Sequence, residues 1–308
     1  MTINTVQKKC PGRRQRIYTG LRRGQEGMAL IIVLWLVVLL SVMAAGHARN
    51  VHTDTMLASR QLEFAKARAW AEAGVHHAII ELLAQNSARE WPVNGTINTV
   101  NIHGHDVGIA IRDATGLVDL NAATADLLAA LLGATGTDEA WQQETVDAIL
   151  DWRDGDNLRH LNGAEDNDYL AAGLVWTARD DAFATIDELK YVLGMRQDIF
   201  DKLAPFLTVY SGRSGVNLEY AAPFLVTALT GEYVEPAEQV LSGAGQTGAS
   251  TGTGGARNAT YHVYVNAPGA AGVVASIEVV VRISATSDYP FTILDWREPM
   301  RPQFPTGG

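Results

Sequence analysis

RRGQEGMALIIVLWLVVLLSVMAA, residues 22–45, joins a basic stretch ending in Gly27 to 18 residues without a charge, Met28–Ala45. A hydrocarbon core of ~30 Å needs ~17–25 helical residues to cross it, so the run suits a short membrane span. A signal-peptide core is usually shorter, ~7–15 residues, and precedes a small-residue cleavage site. Ala44-Ala45-Gly46 supplies such a site, so both readings stand at this point. Basic residues ahead of the run would hold the N-terminus in the cytoplasm.

The segment that follows favours retention of the helix. From Arg49 to Gln85 there is no proline, and Gly74 is the only glycine. Ala58, Leu62, Ala65, Ala69, Ala73, Ile80 and Leu83 keep a three-four spacing on one face. Arg60, Glu63, Lys66, Arg68 and Glu72 fall largely elsewhere. The apolar run is therefore expected to continue into a long amphipathic helix.

Charge bounds the function. The first 27 residues hold seven basic side chains against Glu26. From totals of 24 basic and 34 acidic residues, that leaves 17 and 33 for the rest, a net of −16. So acidic a body argues against nucleic acid, which needs clustered Lys and Arg. It permits calcium, which takes oxygen ligands. Cys10 is the sole cysteine, which excludes an intrachain disulfide and a cysteine-built zinc site.

The junction Gly27/Met28, with Arg22 and Arg23 upstream, resembles the prepilin processing site of type IV pilins and type II secretion pseudopilins. In those families the basic leader is cut after glycine and the apolar helix is kept. Most members carry glutamate as the fifth mature residue, where it neutralises a neighbour's N-terminal amine; here that position is Ile32. A charge in the apolar layer is costly, so its absence is expected of a subunit with no neighbour above it. The departure narrows the resemblance to the K-type minor pseudopilin of type II secretion. That resemblance implies a tip complex with I-type and J-type minor pseudopilins, and the face from Ala58 to Leu83 as partner contact. It also implies a prepilin peptidase acting on this chain, an inner-membrane assembly platform, and no catalytic residues. The location implied is the bacterial inner membrane, single-pass, with the body in the periplasm.

Alternating residues 96–112, with a turn near Gly104, read as strands; so do 259–266, 273–286 and 290–297. Between the groups, helices are predicted at 121–132, 142–153, 185–194, 196–204 and 221–230, the third opening on a capping-box pattern of Thr185 and Glu188. GLVDLNAATADLLAALLGATG (116–136) weakly parallels SGVNLEYAAPFLVTALTG (214–231), as in SAM-like or helix-hairpin-helix units. The fold class expected is α+β: a long N-terminal helix, transmembrane then amphipathic, packed on a small antiparallel pilin-like sheet that carries a large all-helical insertion. The expected bounds are a leader 1–27, a transmembrane segment 28–45 and a stalk helix 46–88. Sheet would cover 89–112 and 258–298, and the insertion 113–241. A Gly/Ser/Thr-rich loop at 242–257 and a tail at 299–308 complete the chain.

Residues 151–168 hold the best chemical candidate. Asp154, Asp156, Glu165, Asp166 and Asp168, with Asn167, put oxygen donors into one stretch that repels itself unless a cation or solvent intervenes. Leu158 and Arg159 fall where an EF-hand requires a ligand and glycine, so this is no EF-hand. Calcium and a merely solvated acidic loop are both open; the family resemblance adds weight to calcium. Gly243, Gly245 and Gly248 match a dinucleotide fingerprint but lack the strand and helix it needs, and no organic cofactor is expected. His103 and His105 are expected to share a strand face as a surface pair. The alternatives are a type IV pilus minor pilin, a membrane-anchored helix-hairpin-helix DNA-binding protein, and a secreted enzyme cut near Ala45.

Overall fold

A computed structural model describes residues 26–84, 91–231, 259–284 and 289–299, leaving undescribed the side chains of residues 26–27, 45–53 and 271. The leader up to residue 25, the Gly/Ser/Thr-rich stretch 242–257 and the tail from residue 300 lie outside the described residues. The chain divides into two compact units at Ser59/Arg60.

Helix α1 (Glu26–Leu83) begins in the first unit, with Gly27 and Met28 in its opening turn. Every described side chain from Met28 to Ala44 is exposed, Trp35 and Leu30 most of all among the large ones. Among the described residues no helix is long and apolar enough to cross a membrane. Helix α1 runs through the whole of the expected transmembrane segment 28–45, whose last side chain lies outside the described set.

The second unit opens with the remainder of α1, which packs on a five-stranded sheet. The strands are β1 (Asn94–Ile102), β2 (His105–Asp113), β5 (Ala259–Pro268), β6 (Val274–Ile283) and β7 (Phe291–Arg297). They pair antiparallel in the order β1-β2-β5-β6-β7. Period-2 alternation sends Val107, Ile109, Ile111, Val263, Val265, Ile277, Val279 and Val281 to one face. Ala67, Ala71, Val75, Ala78, Ile79 and Leu82 of α1 close that face. Small side chains let the helix come close. At Gly74 a Cβ would stand 2.7 Å from Val265 Cγ1, so only glycine fits that crossing. Burying each Val or Ile here contributes ~1.5–3 kcal/mol.

The predicted strands all form, and the turn near Gly104 is a tight hairpin: His103 and Gly104 both take positive φ, 50° and 86°. That corrects the expected histidine pair. His103 is a turn residue, while His105 stacks on Trp70 at 3.6 Å.

Between β2 and β5 lies the helical unit. It comprises β3 (Val118–Asp119), α2 (Ala125–Gly133), α3 (Glu139–Arg153), α4 (Asp166–Ala171), α5 (Gln197–Leu203), β4 (Leu207–Thr208) and α6 (Pro223–Thr230). Thr124 Oγ1 accepts from Leu127 N and Asp138 Oδ1 from Trp141 N, capping α2 and α3. The unit has its own core of Leu128, Leu131, Leu132, Ile149, Leu189, Leu203 and Leu225 among others. β3 and β4 pair in parallel, Val118 with Leu207 and Asp119 with Thr208, and so draw its two ends together. Residues 185–194 make a 3-10 helix (Ile186–Tyr191) instead of an α-helix. Glu188 is held by Arg179 at 2.7 Å and accepts from Ala184 N instead of Thr185 N, so the capping box does not close.

Candidate functional site

Two regions of the second unit present functional geometry. The first grows from the C-terminal end of α3. Arg153 donates to the carbonyls of Leu120 and Ala123, fixing the end of the helix against the start of the unit. Trp152 packs between Tyr169 and Phe183, with ring centroids 5.8 and 6.1 Å away. Asn121 exchanges two hydrogen bonds with the backbone of Phe183, at 2.9 and 2.7 Å. These contacts bring the loop after α3, the start of α4 and the segment before Phe183 to one place.

Three of the six predicted oxygen donors meet there. Carboxylate oxygens of Asp154, Asp156 and Glu165 lie within 4.8 Å of one another, and so do ligand atoms of Asp151, Asp154 and His160. Both Glu165 oxygens, Asp151 Oδ2, Asp154 Oδ1, Asp166 Oδ1 and Asp180 Oδ1 are buried without a hydrogen-bond partner. Burial pushes the Glu165 carboxyl up to about 7, and Asp151, Asp154, Asp180 and Asp156 push the same way. Asp180 is likewise raised, by burial first and then by Asp166 and Asp154. His160 is raised chiefly by its hydrogen bond to Asp151.

The other predicted donors are placed differently. Asp168 is engaged by Arg159 at 3.0 Å and by Glu165 N at 3.1 Å. Asn167 is exposed on α4. Asp151, His160 and Asp180 are members that the sequence reading left out. Asp151 stands at the close of the α3 pattern, and its neighbour in the chain gives no sign that it turns inward. Asp180 lies beyond α4 in sequence and takes a positive φ of 54°, uncommon outside glycine, which aims it back at the loop. Glu165 is buried, Asp154 half-buried, and Asp156 exposed and accepting from Leu158 N at 2.8 Å. Hard oxygen donors gathered in this way, several of them unpartnered, fit a calcium ion, which takes 6–8 oxygens at flexible geometry.

The second region is the face of α1 away from the sheet. Leu62, Ala65, Ala69, Ala73 and Ile80 are exposed, and Leu83 is half-buried; Ala58, of the first unit, is exposed as well. At 100° per residue, the positions from Leu62 to Ile80 lie roughly opposite Ala67, Ala71, Val75 and Ala78, which the sheet covers. Within the second unit, the predicted positions from Leu62 to Ile80 are left exposed, while Leu83 packs against the sheet core.

Residues 98–212 match the family model described as type II secretion system protein K. Protein K of Pseudomonas aeruginosa is 24% identical over 252 residues, covering 74% of this chain and 75% of the relative. Protein K of Klebsiella pneumoniae is 24% identical over 240 residues, covering 70% and 72%. The chain is thus similar to type II secretion system protein K over about three quarters of its length, at low identity. In fold, the chain is similar to a chain of the GspK-GspI-GspJ complex from enterotoxigenic Escherichia coli, with a TM-score of 0.59 at 15% identity. The alignment covers 78% of this chain and 98% of that one. The family model spans β2 and most of the helical unit, so the acidic cluster lies inside the matched region.

Proposed function

We propose that the protein is a type II secretion minor pseudopilin that sits at the tip of the pseudopilus, where it initiates or caps assembly with I-type and J-type partners. The observation that carries the reading is the separately cored helical unit set into the sheet between β2 and β5. In this reading such a bulk beside the sheet would obstruct a further subunit adding above it. Ile32 supports the same position, because a terminal subunit has no neighbour's amine to neutralise. The exposed face of α1 from Ala58 to Ile80 offers small side chains, which let a partner helix approach closely.

In this reading a prepilin peptidase cuts between Gly27 and Met28. The apolar run 28–45 then anchors the subunit, single-pass, in the inner membrane, with the body in the periplasm and the assembly platform as its cytoplasmic-side contact. The protein acts through surfaces and has no catalytic residue or organic cofactor. Calcium would be held by Asp154, Asp156 and Glu165, with Asp166 and Asp180 beside them. It would neutralise a cluster that otherwise repels itself and tie the loop after α3 to α4. Asn167 and Asp168 remain outer candidates from sequence.

The test is purification of the full chain co-expressed with its prepilin peptidase and with I-type and J-type pseudopilins. The expected result is a stable complex whose K subunit begins at Met28 by intact mass. A mature start near Gly46 would sink the reading, as would failure to recover either partner.

A further inference from the structure

The sheet face turned away from α1 is polar. Cross-strand pairing aligns Arg112 with His262, Tyr264 with Glu278, and Glu278 with Arg297. A face so composed ordinarily meets water. Here Arg112 is 1% exposed and His262 5%, because the helical unit lies over them. The apolar cores of sheet and helical unit are separate clusters, with Tyr220 of the return segment packed against the former. Polar contacts therefore bridge the two bodies. Arg112 Nη1 donates to Pro205 O at 3.0 Å. Thr208 Oγ1 and His262 Nε2 are 3.0 Å apart. Arg297 reaches Asp187 at 3.5 Å nearer the surface.

Arg112 is the costly member. Burial depresses its pKa, its Nε has no hydrogen-bond partner, and among the described residues no carboxylate lies at ion-pair distance. A buried charge without a close counter-charge is poor stability design; directional bonding is what it can add. The sheet also makes room for it. Gly95 in β1 has φ +93°, and a Cβ there would stand 2.7 Å from Arg112 Nη2.

We propose that Arg112 is a positioning residue: it pins the helical unit to the sheet at one fixed orientation, which the cap needs to seat on its partners. The second half rests on the tip reading given above.

The test uses the full chain in detergent with Cys10→Ser, spin-labelled through Thr99→Cys on β1 and Leu161→Cys on the helical unit, both exposed. Pulsed dipolar spectroscopy should give one narrow distance. Arg112→Met should broaden that distribution at least twofold while the far-UV circular dichroism stays unchanged. Thr208→Val provides the same measurement if Arg112→Met does not fold, and Arg112→Lys should broaden it less. A folded Arg112→Met with an unbroadened distance overturns the pin. A broadened distance with undiminished secretion and undiminished recovery of the tip complex overturns the need for a fixed angle. The capping reading fails separately, if the unsubstituted chain does not assemble with its partners.

Discussion

Gly163 stands so close to Asp151 that a Cβ would fall 1.9 Å from Oδ2. The loop can close over a fully buried carboxylate only because this residue has no side chain. Gly163→Ala should therefore cost about 1–3 kcal/mol, as an overpacked site does, and lower the thermal midpoint; an unchanged midpoint would contradict the tight seat. Glu165 carries a pH signature with a definite sign. Its carboxyl is raised in the folded protein to about 7. Its contribution to stability is then complete below the unfolded value near 4.5 and is lost as pH rises through 7. Metal-free protein should show a falling thermal midpoint over that window. Calcium should reverse the fall near neutrality, because it binds the ionised form. A profile that is flat with chelator, or unmoved by calcium, would count against the site.

At the scale of elements, α1 spends its two faces differently. Ala67, Ala71, Val75 and Ala78 are committed to the sheet, whereas Ala69 and Ala73 face outward. Ala69→Arg should change stability by less than about 0.5 kcal/mol, since the site is exposed. It should nonetheless abolish recovery of the I-type and J-type partners in co-purification; intact recovery would free this face of the proposed role. The same helix marks what sequence made legible. Periodicity located a stripe of Ala and Leu correctly on one face, but three-four spacing cannot say whether a stripe meets its own sheet or another chain. Here the sheet took the other stripe, which holds Gly74. Strands 94–102, 105–113, 259–268, 274–283 and 291–297 were readable because alternation and turn residues agree. Helix α4 was hidden, because DNDYLA is acidic and short and reads as more of the loop. In the acidic cluster, local density of carboxylates pointed to Asp154, Asp156 and Glu165. Asp180 joins through tertiary contact alone, and Asp168 stands at the edge, engaged by Arg159 and by Glu165 N.

Across the whole second unit, two apolar cores coexist, one under α1 and one inside the helical unit. They should not melt as one. Calorimetry of the full chain in detergent is expected to give two transitions, and only the helical unit's should move with calcium. A single transition that moves as a whole would mean that the polar seam at Arg112 couples the cores more tightly than its few bonds suggest. The pairing of β3 with β4 has a consequence for how such a chain can change. Asp113 at the end of β2 lies opposite Tyr261 in β5, although residues 114–260 intervene. Val118 against Leu207 ties most of that intervening chain off at its base. To the sheet, everything beyond this neck has the standing of a hairpin loop, and loop-closure entropy grows only slowly with length. Lineages of this scaffold could therefore lengthen, shorten or rebuild what hangs from the neck while the strands beneath keep their register.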